Sequence, residues 1–255
     1  MYDLRSFTPT ICQMMDVRPP KFGLASPIAE LLHSPRPISK ALIYCPDAFG
    51  YHALQRFPEM HQRLKRASTH EVALSSMIPP KTPVCFASLF TGATIEEHGI
   101  KKYERPVLSC DTLFDALVRA GKKVAIVAVA GSSVDLIFRN RTLDYFSMTY
   151  DSLVTAQTFA LLKEGKHDVI VAYHQEYDDL LHKTEPFSPL AIKALQNHLE
   201  TWEQFFSAAR EAWKNNYLLA FTPDHGAHLD PATNRGDHDH DCPEDMQLRH
   251  FFCQS

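Results

Sequence analysis

The chain has 255 residues, is 45% hydrophobic and carries a formal net charge of −4, with 26 basic side chains against 30 acidic ones. That length supports one large α/β domain with a real core, while the mildly acidic balance and the scatter of its basic residues exclude an electrostatic footprint for a nucleic-acid backbone. An anionic substrate is not excluded, because bound metal ions would supply the positive field.

Residues 1–38 hold Pro9, Pro19, Pro20, Pro27, Pro35 and Pro37, which predicts a proline-rich N-terminal arm, extended and wrapped on the domain, with one helix from Pro27 to His33. The opening Met1-Tyr2-Asp3-Leu4-Arg5 lacks the charged-then-apolar pattern of a signal peptide. From Lys40 onward, short apolar runs read as buried strands at Ala41–Cys45, Val72–Leu74, Val124–Val129, Val169–Tyr173 and Leu218–Thr222. Helical patterns lie between and after them at Tyr51–Arg66, Pro83–Phe90, Thr112–Ala120, Ser152–Lys163 and Pro189–Lys214. This βαβα order predicts a single α/β domain over residues 1–255, built as a mostly parallel central sheet with helices on both faces, in three layers.

The longest apolar run, Val124 to Ala130, is too short to span a bilayer, so no membrane partner is expected. The six cysteines form no C-x-x-C pair, which fits reduced thiols and a cytoplasmic protein. Neither G-x-G-x-x-G nor G-x-x-x-x-G-K-[ST] occurs, so any phosphate is held by means other than a glycine-rich cradle.

In an open sheet of this kind ligands bind beyond the carboxyl ends of the strands, and there the sequence is rich in Asp and His. Asp47 follows the first strand, where alone it reads as a turn or capping aspartate and gains weight as a ligand from the other strand-end residues. Asp178 and His182 are spaced i,i+4, which on a helix puts both on one face, as a cation grip or as a solvated pair. Asp224-His225-Gly226 closes the fifth strand, His228 follows, and Gly236-Asp237-His238-Asp239-His240-Asp241 offers further ligands or an exposed acidic loop. Thr82, in Lys81-Thr82-Pro83, reads as the N-cap of a helix with Pro83 as its first residue. A hydroxyl there faces free N–H groups and the positive end of the helix dipole, which suit a phosphate and a developing alkoxide.

These motifs resemble the alkaline phosphatase superfamily, and within it the nucleotide pyrophosphatase/phosphodiesterase branch. The likeness runs from about Asp47 to His238 and is carried by Lys81-Thr82-Pro83-Val84-Cys85-Phe86-Ala87-Ser88-Leu89-Phe90-Thr91-Gly92, followed by Glu97-His98-Gly99-Ile100. The branch has its nucleophilic threonine ten residues before the glycine of a Thr-Gly pair, the spacing of Thr82 and Gly92.

The resemblance implies an alkaline phosphatase-like three-layer fold and Thr82 as catalytic nucleophile. It also implies two divalent metal ions, one held by Asp47, Thr82, Asp224 and His225, the other by Asp178, His182 and His238, with His240 as the rival of His238. Zinc is the expected metal at the histidine-rich site, and manganese is the alternative at the oxygen-rich one. The implied activity is hydrolysis of a small-molecule phosphate ester, by a phosphodiesterase, nucleotide pyrophosphatase or phosphatase. The alternatives within the superfamily are a phosphonoacetate hydrolase acting on a phosphonate, a phosphoryl mutase, or a non-catalytic metal-binding relative. Threonine at the nucleophile position argues against a sulfatase, whose motif needs an oxidisable Cys or Ser. The branch carries an asparagine three residues after its nucleophile to hold a phosphate oxygen, and here Cys85 stands in its place.

Overall fold

The computed structural model describes residues 2–34 and 36–255; Met1 and Pro35, the latter one of the prolines counted in the arm, lie outside them. The strands are β1 (Tyr2–Asp3), β2 (Lys40–Pro46), β3 (His70–Ser75), β4 (Val124–Val129), β5 (Asp144–Met148), β6 (Val169–His174), β7 (Tyr217–Phe221), β8 (His228–Asp230), β9 (Arg235–Asp237) and β10 (Gln247–Gln254). The helices are α1 (Phe7–Met14), α2 (Tyr51–Arg56), α3 (Pro58–Arg66), α4 (Thr82–Thr91), α5 (Ile95–His98), α6 (Leu113–Arg119), α7 (Ser133–Ile137), α8 (Asp151–Glu164), α9 (Glu176–Leu181), α10 (Pro189–Trp213) and α11 (Pro243–Met246).

Eight strands form one sheet in the order β1-β3-β10-β7-β2-β6-β4-β5, and β8 pairs with β9 in a separate ribbon. Among the described residues, only the two pairings that β10 makes within the large sheet are antiparallel. The period-2 geometry of a strand sends alternate side chains to opposite faces, so β2 feeds two cores. Ala41, Ile43 and Cys45 pack with residues of α1, α4, α6 and α7. Leu42 and Tyr44 pack with residues of α2, α3, α8, α9 and α10. Central strands covered on both faces must be apolar throughout, which is why β2, β4 and β6 read as unbroken hydrophobic runs. The expected three-layer, mostly parallel α/β architecture is the observed one.

All five strands expected from the sequence are present within a residue or two. Several other expectations change. The N-terminal arm is not simply extended, because Phe7–Met14 forms α1 and buries Phe7, Ile11, Cys12 and Met14; Pro9 is accommodated in the first turn, where its missing N–H costs nothing. Of the helix expected from Pro27 to His33 only a 3₁₀ turn at Ala29–Leu31 exists. The single helix expected over Tyr51–Arg66 is two, because Phe57, before Pro58, is driven to φ −126° and ψ 79° and the chain restarts with Pro58 in the first turn of α3. Strand β10 was not legible, since Gln247, Arg249 and His250 interrupt its apolar run, and it acquires its burial only by entering between β3 and β7.

Because β7, β2 and β6 are parallel neighbours, Asp47, Asp178 and Asp224 leave the sheet along one edge. The β8–β9 ribbon pairs His228 with Asp237 and so folds the chain back from His225 to bring His238 to the same edge. Two glycines make this approach possible by lacking a side chain, with no unusual φ. A Cβ on Gly226 would overlap the Glu244 carbonyl, and one on Gly50 would overlap Gly226. Gly226 N–H also donates to the Asp245 carbonyl at 2.8 Å. Replacing Gly226 with Ala is therefore expected to destabilise the fold by at least about 2 kcal/mol, as overpacking against backbone does; a denaturant midpoint unchanged from wild type would refute the clamp.

Candidate metal centre

The strand-end residues converge into one buried cage. Asp47, Asp224, His225 and Thr82 form one half, all at most 4% exposed. His225 Nε2 lies 3.3 Å from Asp47 Oδ1, 3.3 Å from Asp224 Oδ2 and 3.3 Å from Thr82 Oγ1. Asp178, His182 and His238 form the other half, with Asp178 Oδ1 3.4 Å from His182 Nε2 and 3.2 Å from His238 Nε2. The halves meet where the His225 and His238 rings stack at 3.8 Å between centroids. His240 lies outside, mostly exposed and 3.1 Å from its neighbour Asp239. His228 is also outside, 2.8 Å from the buried carboxylate of Asp245.

Thr82 opens α4 but does not cap it. The N-cap is Lys81, without a side-chain cap bond, and Thr82 and Pro83 are the first two helical residues. The Thr82 hydroxyl is thereby released from capping to face His225. The first N–H groups of a helix lack intrahelical acceptors, and since Pro83 has none, those of Thr82 and Val84 are the nearest to the hydroxyl. Cys85, one turn on, does not stand at a phosphate: it is fully buried in the core, its thiol 3.3 Å from Ser76 Oγ. The same Ser76 hydroxyl donates to the Asp224 carbonyl at 2.6 Å, so Cys85 packs behind the Asp224 half of the cage.

Each cage imidazole is oriented by a backbone carbonyl on its Nδ1: Gly226 for His225 at 3.0 Å, Gly236 for His182 at 3.0 Å and Pro80 for His238 at 2.7 Å. A carbonyl only accepts, so each Nδ1 carries the proton and each Nε2 turns its lone pair inward, the tautomer a metal ligand needs. Two of these inward nitrogens, on His182 and His238, lie 3.0 Å apart. Around them Asp47 Oδ1, Asp178 Oδ1 and Asp224 Oδ2 are buried without a hydrogen-bond donor. Inward lone pairs and orphaned carboxylate oxygens repel one another, and positive charge placed between them, as protons or as a metal cation, relieves that repulsion. The residues present therefore fit divalent metal, with nitrogen and oxygen donors of the kind zinc and manganese accept. The sequence did not single out the supporting groups: the three carbonyls carry no residue-type signal, but Tyr173, whose hydroxyl bonds Asp47, ends an expected strand and was within reach of the strand-end rule.

A second cluster looks alike and is not. Asp151, His174 and His198 are buried and close together, but the Tyr44 hydroxyl fills their centre, 3.1 Å from His174 Nδ1 and 2.8 Å from His198 Nδ1. The Asp151 carboxylate accepts from the N–H groups of Gln175 and Glu176 at the start of α9. It serves as a cap for the helix that carries Asp178.

Without metal, protons neutralise the cage. Burial, reinforced by Asp178, pushes Asp47 up to about 8, and burial with Asp47 nearby lifts Asp224 well above the usual carboxylate range. For His182 burial works downward, but the Asp178 carboxylate outweighs it and raises the imidazole to about 9. Burial likewise opposes ionisation of Asp178, and His182 and His238 overcome it, holding this carboxylate well below its ordinary value. Burial, then His238, keeps His225 neutral.

A family model described as type I phosphodiesterase/nucleotide pyrophosphatase matches residues 44–251. No curated protein sequence matches the chain. Among solved structures, an inactive form of murine ectonucleotide pyrophosphatase/phosphodiesterase 5 in complex with AMP superposes with a TM-score of 0.62 at 20% identity, over 76% of this chain and 59% of that one. The human protein of the same name gives 0.60 at 19% identity, over 74% and 57%. Phosphonoacetate hydrolase from Sinorhizobium meliloti 1021, in complex with phosphonoformate, gives 0.55 at 19% identity, over 77% and 59%. The chain spans under three-fifths of the length of these proteins, and at such identities the likeness is one of fold.

The proton-filled cage has a measurable consequence. Between pH 7 and 9 an unfolded chain has already lost the protons of its carboxyl and imidazole groups, whereas the folded chain keeps those on Asp47 and His182 until about 8 and 9. The native state binds more protons, so stability falls as pH rises through this window. Chelator-treated protein is expected to lose melting temperature from pH 7 to 9, and Asp47→Asn to flatten the slope; a melting temperature rising with pH would overturn the assignment.

Proposed function

The chain belongs to the type I phosphodiesterase/nucleotide pyrophosphatase family, and we propose from that premise that it is a two-metal-dependent hydrolase of phosphate esters with Thr82 as its nucleophile. The observation that carries the reading is the set of three inward Nε2 atoms and three orphaned carboxylate oxygens beside a helix-terminal hydroxyl. Asp47, Thr82, Asp224 and His225 would hold one metal, and Asp178, His182 and His238 the other. Bound there, the two ions would supply Lewis-acid stabilisation of phosphoryl charge and favour ionisation of the threonine hydroxyl.

The chain's own residues then have defined tasks. Thr82 Oγ is held in the first turn of α4, where the dipole and the unsatisfied N–H groups favour negative charge on both the hydroxyl and the incoming phosphoryl group. Its hydroxyl gives up its proton to solvent as the oxygen attacks phosphorus in line with the leaving ester oxygen; the Thr82 oxygen–phosphorus bond forms as the phosphorus–leaving-group bond breaks, and the departing oxygen takes a proton from water. Water cleaves the resulting phosphothreonine, and the hydroxyl returns. The buried walls of the cage keep these charges in a medium where fixed dipoles act strongly.

A second reading, carbon–phosphorus bond hydrolysis on a phosphonate, is favoured by the fold shared with phosphonoacetate hydrolase. The two separate on substrates. Metal-stripped protein reloaded with zinc or manganese is expected to hydrolyse a p-nitrophenyl phosphodiester or monoester, and Thr82→Ala to lose at least about a thousandfold in kcat while retaining most of its metal. His182→Gln is expected to lose one of the two metal equivalents by elemental analysis. Turnover undiminished in Thr82→Ala would remove the nucleophile from the scheme, and activity confined to phosphonates would favour the second reading.

A further inference from the structure

Tyr173 is the penultimate residue of the buried strand β6, 2% exposed, with its ring edge-on to Phe86 at 5.5 Å between centroids. A phenylalanine would make that contact equally well. A buried phenol is costly unless its hydroxyl is bonded, and this one donates to Asp47 Oδ2. The bond occupies one oxygen of the carboxylate and leaves the other, Oδ1, without a donor and 3.3 Å from His225 Nε2. Asp47 follows β2 directly and its backbone N–H is tied to the His174 carbonyl at 2.9 Å, which places the Cα but leaves the carboxylate free to turn. The partner aspartate shows the same division of labour: Asp224 Oδ1 accepts from the Ala48 N–H at 3.3 Å, and its Oδ2 is the orphaned atom facing His225.

We infer that Tyr173 is a positioning residue for the metal held by the Asp47 half of the cage: its hydroxyl fixes the Asp47 carboxylate in the rotamer that presents Oδ1 as a single ligand oxygen. The inference rests on the metal-dependent reading above. It gives Tyr173 no contact with substrate and no part in proton transfer. Outer partners of this kind set how tightly a first ligand grips its ion, and their loss weakens binding by about 10- to 100-fold. The effect belongs to one ion of the two, because Asp178, His182 and His238 take their orientation from α9, Gly236 and Pro80 and share no hydrogen bond with Tyr173.

The test is a competition titration of the intact protein with zinc against a chromogenic chelator, together with melting of the chelated form. Tyr173→Phe is expected to weaken one of two zinc-binding steps by about 10- to 100-fold, to leave the other step at its wild-type affinity, and to leave the metal-free melting temperature within a few degrees of wild type. Phe86→Leu, which disturbs the packing of the same ring but keeps the hydroxyl, is expected to bind both ions as wild type does, and it carries the test if Tyr173→Phe folds poorly. Wild-type affinity at both steps in Tyr173→Phe, equal weakening of both steps, or a loss in Phe86→Leu as large as in Tyr173→Phe would each overturn the positioning role. A wild-type chain that takes up no zinc would remove the metal reading itself, a distinct failure.

Discussion

Two buried carboxylates, Asp47 and Asp224, meet the half-buried Asp178 at one edge of the sheet, and among the described residues they face imidazoles and one another, with no lysine or arginine in salt-bridge reach. Buried charge without a partner costs several kcal/mol per group, so the arrangement demands positive charge from somewhere. In the bare chain protons supply it, on Asp47, Asp224 and His182. A divalent cation, on the reading proposed above, would supply it better, because it would satisfy several lone pairs at once and displace those protons. Metal affinity, stability and pH are thereby coupled through a single set of atoms.

The rest of the fold keeps that set from relaxing. Parallel pairing of β2 with both β6 and β7 fixes the separation of the strand ends, and side-chain-free crossings at Gly50 and Gly226 let the His225 turn approach the Glu244 segment. Gly236 plays the same part against Leu181, whose Cδ1 would lie 2.7 Å from an added Cβ. Carbonyls rather than side chains orient the imidazoles, so the inward tautomer is set by backbone geometry and does not depend on another titrating group. The contrast with Asp151, His174 and His198 shows what matters: the same residue types, once a tyrosine hydroxyl bonds both imidazoles, form a network that ties α8, β6 and α10 together.

Thr82 illustrates how a local structural role and a chemical one exclude each other. As an N-cap its hydroxyl would be spent on a backbone N–H; as the first helical residue, with Lys81 as an uncapped N-cap, the hydroxyl is available at the positive end of the dipole. The shift of one residue is small in secondary-structure terms and is what leaves the hydroxyl free for the nucleophilic role proposed above. Cys85 carries the opposite lesson, since a position that looks like part of the site by spacing is turned into the core by helical periodicity.

What the sequence determined by itself was the class of sheet, the strands that run through its middle and the residue types waiting at their ends. Strands covered on both faces must be apolar along their whole length, so β2, β4, β6 and β7 announce themselves, whereas β5 at an edge and β10, interrupted by Arg249 and His250, do not. The local spacing of Asp178 and His182 on one helical face was legible for the same reason, as periodicity is a property of a short segment. The choice of His238, which the family likeness implied, over His240 takes its physical reason from the tertiary structure, because it depends on the return of the β8–β9 ribbon and on which ring reaches the Pro80 carbonyl. The tertiary structure alone decided that Tyr173 supports Asp47 across 126 residues of sequence. Contacts between distant segments are fixed by strand order and close backbone crossings, and these are settled by packing of the whole chain, which no local pattern encodes.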